Sequence, residues 1–427
     1  MELALIALML VLALGSFWRA TFGFALVAAV QMVFRVIGLM MLGESGRASY
    51  ASAWLFMVSL VAFVIGYFAA EFVIRARGAS PPVRLKAFPS AAVWAVVLVA
   101  GVLGIYHLIA GGIPIFSSSI ETERFDFSSS GLFGIPGRMY LFGVPIAWIL
   151  ASVNAQALQM RWRDYGPWRW ATAAFVITTF LSGFKGDAFS LVLTLVALYI
   201  VISGSRITVG TMVRKFWWTG VVAVGYFVVV ASLYPTYSSS GYSVAEQLFR
   251  RLTTVPAVPV YYAMEGLATE PGAVPIIADF GYFLAKYSGN EIAGSFSFER
   301  AVSAAMIGVD PSSQAWTTPV TVSGYAELFA SFGGIVAVVA IFFTGILLSW
   351  IESGPHRTSI GLVLRAVTGM ALVSWLARGG LAYHVVNYFA VIAFLAAIGF
   401  AATLFTTIRP SLPSSGMSRY RPMRSRR

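Results

Sequence analysis

"ASAWLFMVSLVAFVIGYFAAEFV", residues 51–73, decides the fold of this protein. Glu71 is its one charged side chain. At about 1.5 Å per residue, a helix of this length spans the roughly 30 Å hydrocarbon core of a bilayer. Similar apolar runs recur on both sides of it. We place about eleven spans, with a range of 10–12, at 2–17, 20–42, 51–73, 91–111, 139–158, 168–183, 187–204, 216–234, 324–350, 360–377 and 384–407. The whole chain agrees: 427 residues are 59% hydrophobic and 11% charged, with a mean hydropathy of +0.81. Soluble domains carry roughly a quarter charged residues, so the expected class is an all-α polytopic membrane protein. The run at 2–17 has no basic stretch before it and no A-x-A site after it, and it reads as a retained helix.

Charge orients the bundle. With the C-terminus in the cytoplasm, Arg19, Arg75, Arg77, Arg84, Lys86, Arg161, Arg163, Arg169, Arg206, Arg214, Lys215, Arg357 and six tail arginines fall inside, as the positive-inside bias requires. An odd number of spans then places the N-terminus outside. The organisation expected is an N-terminal bundle (1–234) with an outer loop at 112–138, a large outer loop (235–323), C-terminal spans (324–408) and a basic cytoplasmic tail (409–427). That tail reads as an anchor for anionic lipids and not as a nucleic-acid arm. The net charge of +12 therefore speaks to orientation.

The chain has no cysteine, and its three histidines, His107, His356 and His384, are too scattered for a zinc site. It has no phosphate-cradling G-x-x-x-x-G-K-[ST] and no strand-linked G-x-G-x-x-G. Neither metal nor cofactor is expected, and a substrate must carry its own activation, as a lipid-linked diphosphate does.

Two outer loops carry polar chemistry. The first, "GGIPIFSSSIETERFDFSSSGLFGIPGR" (111–138), holds Ser118, Glu121, Glu123, Arg124 and Asp126 among glycines and serines. In the second, "SVAEQLFRRLTTV" places Val244, Leu248, Leu252 and Val255 on one helical face with Arg250 and Arg251 beside it. Pro256 and Pro259 are expected to stop this interfacial helix. Basic residues on the outer face run against the orientation bias. Arginine's planar fork matches phosphate oxygens, so Arg124, Arg250, Arg251, Arg378 and Lys185 are candidates for a diphosphate clamp. Each also has a plainer reading. Arg124 has acids on both sides, Lys185 has Asp187, and Arg378 of "LARGGLAYH" has the option of snorkelling to the interface. Arg35 and Arg365, inside predicted spans, suit helix packing or snorkelling.

These segments resemble those of bacterial oligosaccharide repeat-unit polymerases, the Wzy-type O-antigen and capsule polymerases. "GIPIFSSSIETERF" (112–125) is similar to their outer-loop start with its following arginine. "LSGFKGDAFSLVLTLVALYIV" (181–201) resembles their G-S-R-G turn, with Lys185 where arginine is usual. "TTPVTVSGYAELFASFGGIVAVVAIFFTGILL" (317–348) resembles their G-E-L-Y-x-N-F-G segment. There Tyr325 and Ala326 separate glycine from glutamate, and Ser331 replaces asparagine. The likeness runs from about 110 to 385.

The resemblance implies a GT-C-like glycosyltransferase of the bacterial inner membrane. It would join undecaprenyl-diphosphate-linked oligosaccharides at the periplasmic face, with membrane lipids and a chain-length regulator protein as further partners. Ser118, Glu121, Glu123 and Asp126 would then meet sugar hydroxyls, and the clamp would hold diphosphate. The acceptor hydroxyl needs a general base, for which Glu299, Asp310, Glu327 and His384 are candidates. Glu327 also suits a helix start, where an acid in the first turn favours the helix. A lipid-linked glycan flippase and an O-antigen ligase remain alternatives.

Overall fold

The structure, a computed structural model, describes residues 23–76, 85–116, 134–181, 241–266, 274–288, 297–309, 320–354 and 358–408, with scattered positions between 195 and 229. The candidates Ser118, Glu121, Glu123, Arg124, Asp126, Lys185 and Asp310 lie outside the described residues, as do the span at 2–17 and the basic tail. The spans at 187–204 and 216–234 are described only at isolated positions.

Every described element is helical. Seven helices among the described residues are long and apolar enough to cross a membrane: α1 (Phe24–Glu44), α2 (Tyr50–Ala76), α3 (Ser90–Ala110), α4 (Ile135–Ala157), α11 (Gly334–Ser353), α12 (Ser359–Arg378) and α13 (Leu381–Ile408). The protein is a polytopic helical membrane protein. Shorter helices complete the described set: α5 (Gly166–Leu181), α6 (Val244–Leu252), α7 (Thr254–Met264), α8 (Pro275–Ser288), α9 (Phe298–Ile307) and α10 (Gly324–Phe332). The last five gather at the end of the bundle where α12 turns into α13.

The tightest packing is between α2 and α11. It depends on two glycines placed reciprocally. A Cβ at Gly66 would lie 2.2 Å from the Phe342 carbonyl oxygen, and one at Gly345 would lie 2.2 Å from that of Phe63. In lipid, helices associate by close packing of this kind because no hydrophobic force separates them from acyl chains. Leucine at Gly345 is therefore expected to force the two backbones apart, at about 1–3 kcal/mol or more. The check is monodispersity of the detergent-extracted protein, which should fall, whereas alanine at Gly281, with open space around it, should leave it unchanged.

Buried polar groups tie the ends of the spans. Near the end of α11, Glu352 accepts hydrogen bonds from the Ala25 amide and the Tyr67 hydroxyl, both at 2.7 Å. It thereby satisfies an otherwise open N–H at the start of α1. Arg365 donates to the Gly354 carbonyl at 2.6 Å and lies 4.3 Å over the Trp350 ring. Arg35 donates to the Gln31 carbonyl at 3.1 Å and also to the Ala377 carbonyl near the end of α12. Both arginines thus serve helix packing, one of the two roles expected of them. In α4, Pro145 has no N–H to return to Leu141, and the helix widens into a π turn over Met139–Gly143.

Two sequence expectations need correction. The apolar run at 324–350 is not one helix. It breaks at Gly333, whose φ of +80° separates the amphipathic α10 from the spanning α11. The outer-loop helix ends at Leu252, ahead of Pro256 and Pro259, both of which lie within α7. A proline is tolerated in the first turn, where its missing N–H has no intrahelical partner, so Pro256 starts a helix instead of stopping one. Val255 accordingly belongs to α7 and stands exposed.

Candidate functional site

The site forms around the turn between α12 and α13. Gly379 and Gly380, with φ of +80° and +69°, make the left-handed turn that lets two spans reverse with almost no connector. Arg35, buried in α1, brings positive charge to the last carbonyls of α12, which suits the negative end of a helix dipole. The Val322 amide donates to the Arg378 carbonyl at 2.9 Å, fixing the segment before α10 to the same turn.

Three carboxyl groups converge on this turn from three helices. Glu327, in the first turn of α10, is fully buried. It accepts from the Trp375 indole at 2.9 Å and from the Leu381 amide at 3.0 and 3.1 Å. Glu299, in the first turn of α9, is half-buried against Gly380, where a Cβ would lie 2.5 Å from its Oε1. Asp279, on α8, is buried and accepts from the Phe298 amide at 2.7 Å through Oδ1, while Oδ2 is buried with no hydrogen-bond partner.

Their environment sets their proton affinity. Burial pushes Glu327 up to about 7, against the pull of its Trp375 and Leu381 donors. Burial likewise raises Asp279 to about 7, with the Phe298 amide opposing. Glu299 is raised well above the usual carboxylate range by burial first, then by the charges of Glu327 and Asp279, with Arg378 acting the other way. A carboxyl raised in this way is suited to accept a proton near neutral pH.

The first turns of α13 add a second wall. Tyr383 lies 5.7 Å from Phe142 of α4 and 5.6 Å from Phe283 of α8. The buried His384 ring faces Tyr383 at 5.5 Å and Tyr388 at 6.3 Å, and its Nδ1 has no hydrogen-bond partner. Arg138, half-buried in α4, donates from Nε to Asn387 Oδ1 at 3.1 Å. Asn387 in turn donates to the Tyr383 carbonyl at 2.7 Å.

Of the residues the sequence nominated, Glu299, Glu327, Arg378 and His384 come together here. Their roles separate. Both oxygens of Glu327 are occupied by N–H donors of the turn, so it positions the turn. Glu299 is half-buried and Arg378 exposed at the same turn. Arg250 and Arg251 stand apart on α6, which packs on α7 and α1, and the Arg250 guanidinium lies 4.2 Å over the Tyr242 ring. Asp279, Arg138, Tyr383 and Asn387 were not nominated. The i, i+4 spacing of Tyr383 and Asn387 was a usable signal for a shared helix face. Asp279 gave none, because its link to Glu299 crosses two helices. No group of three or more His, Asp or Glu side chains among the described residues is arranged to hold a metal ion.

No protein family, curated protein or solved structure matches this chain. Its functional reading rests on its residues and their arrangement.

Proposed function

We propose that this protein is a membrane glycosyltransferase of the bacterial inner membrane that polymerises undecaprenyl-diphosphate-linked oligosaccharide repeat units at the periplasmic face. One observation carries the reading: a carboxyl of raised proton affinity, Glu299, beside an exposed arginine, Arg378, at the end of a membrane bundle and among the helices of its largest loop. The bias of basic residues toward the opposite end supports a periplasmic position for that loop.

The chemistry asked of these groups is simple. The acceptor hydroxyl oxygen attacks the anomeric carbon of the donor glycan, and the bond from that carbon to the diphosphate oxygen breaks with its electron pair going to the diphosphate. Glu299 takes the proton of the acceptor hydroxyl. Arg378 meets the charge that develops on the leaving diphosphate, an interaction strengthened beside the low dielectric of the bilayer. The half-buried Tyr383 ring offers a flat apolar surface suited to a sugar, with the buried Asn387 and the half-buried Arg138 holding the first turns of α13 behind it. The diphosphate brings the free energy, so no further cofactor is called for. A chain-length regulator is the protein partner this reading brings with it.

The test is surface glycan length in a deletion strain. Long chains should vanish while lipid A capped with a single repeat unit persists. Loss of every surface unit would instead mark a flippase or a ligase and would overturn the reading.

A further inference from the structure

Asp279 asks for an explanation that glycosyl transfer does not give it. It is 1% exposed, one of its oxygens is occupied by the Phe298 amide, and the other is buried without a partner. A buried carboxylate oxygen with no donor is costly unless the group holds a proton. The amide it does accept belongs to the residue immediately before Glu299. Asp279 therefore sits at the N-terminus of α9, one residue from the carboxyl that bears the proposed chemistry.

We propose that Asp279 and Glu299 titrate as a coupled carboxyl pair, with Asp279 the positioning member that holds the start of α9 and sets when Glu299 accepts a proton. Like charges held close in a low dielectric resist joint ionisation, so the first proton lost makes the second harder to lose. The surroundings bear on the pair as follows. Glu327 of α10 adds negative charge and Arg378 of α12 positive charge. His384 and Tyr383 of α13 face the same turn, Arg300 is the neighbour of Glu299 on α9, and Lys286 on α8 itself lies exposed over Tyr282. Burial raises both members, Asp279 to about 7, in keeping with a pair that keeps at least one proton at neutral pH. The catalytic consequence rests on the glycosyl-transfer reading; the coupled titration does not.

The experiment is infrared titration of the full-length protein in lipid nanodiscs, with aspartate carrying a ¹³C side-chain carboxyl. The chain has five aspartates. In the unaltered protein, one labelled carboxylic-acid band should persist to near pH 7, and Asp279→Asn should remove it. The asparagine keeps an acceptor for the Phe298 amide, so α9 should stay in place. The Glu299 carboxyl should then ionise at a lower pH, relieved of the Asp279 charge. Glu299→Gln, neutral as the protonated Glu299 is, should leave the aspartyl band titrating near pH 7. No aspartyl band titrating above about pH 5 in the unaltered protein would overturn the proposal without any variant having to fold. So would an unmoved Glu299 titration in Asp279→Asn. In cells, the acidic limit of glycan polymerisation should move down with Asp279→Asn. If the deletion phenotype instead disproves glycosyl transfer, the spectra still decide the pair.

Discussion

Glutamine at Glu299 is expected to remove long surface glycan while leaving the protein folded and abundant. Losing a general base lowers rate by typically 10²–10⁴-fold, enough to collapse a polymer built by repeated transfers. Stability should not fall with it. Glu299 has its proton affinity raised in the folded state by burial and by the charges of Glu327 and Asp279. A raised carboxyl contributes stability that is complete below its unfolded pKa and is lost as pH rises through the folded value. Above its folded value the ionised group is a cost to the fold, and the neutral amide removes it. Melting temperature should therefore hold or rise as the pH is raised, while glycan length drops to single units. Activity of the unaltered protein should rise with pH as Glu299 ionises. If Glu299→Gln polymerised normally, the base would have to be sought at His384 or Asp310.

Alanine at Arg378 is expected to shorten glycan by weakening the hold on the diphosphate. A charge-assisted contact to phosphate is worth on the order of 1.5–3 kcal/mol, about tenfold to a hundredfold in rate. Lysine should restore part of this, since it keeps the charge and loses the bidentate fork. The Arg378 carbonyl accepts from the Val322 amide, a bond that survives any side-chain change, and protein abundance measured beside glycan length separates a folding effect from loss of the diphosphate contact. Alanine at the exposed Arg47 and Lys286 should leave glycan unchanged. The same substitution at Arg250 and Arg251 asks whether the bound diphosphate reaches α6. Arg378→Ala with full-length glycan would make the arginine an interface residue and nothing more.

How far these residues were legible beforehand depended on how far apart their partners lie in the chain. Arg378 stood out as a charge in a hairpin between two apolar runs, where ionised groups are costly and need a reason, and Glu299 as an acid of the large outer loop. Glu327 was legible as the acid of a helix start, and its oxygens do serve the turn beside that start. The break at Gly333 was hidden because the residues around it are apolar enough to continue a span, and only its left-handed backbone reveals two helices. Pro256 misled because a proline that ends one helix and a proline in the first turn of the next leave the same mark in a sequence.

The sequence by itself determined that this is a helical membrane protein and where most of the described spans fall. Those properties follow from local composition, since a bilayer demands about 20 apolar residues for each crossing and satisfies backbone hydrogen bonds within each helix. Only the tertiary structure decided that Gly66 and Gly345 meet across α2 and α11, that Arg35 serves the end of α12, and that Asp279, Glu299 and Glu327 face one turn. Such meetings join residues tens to hundreds of positions apart. They are set by which helix faces pack together, and neither periodicity nor charge along a single segment carries that information.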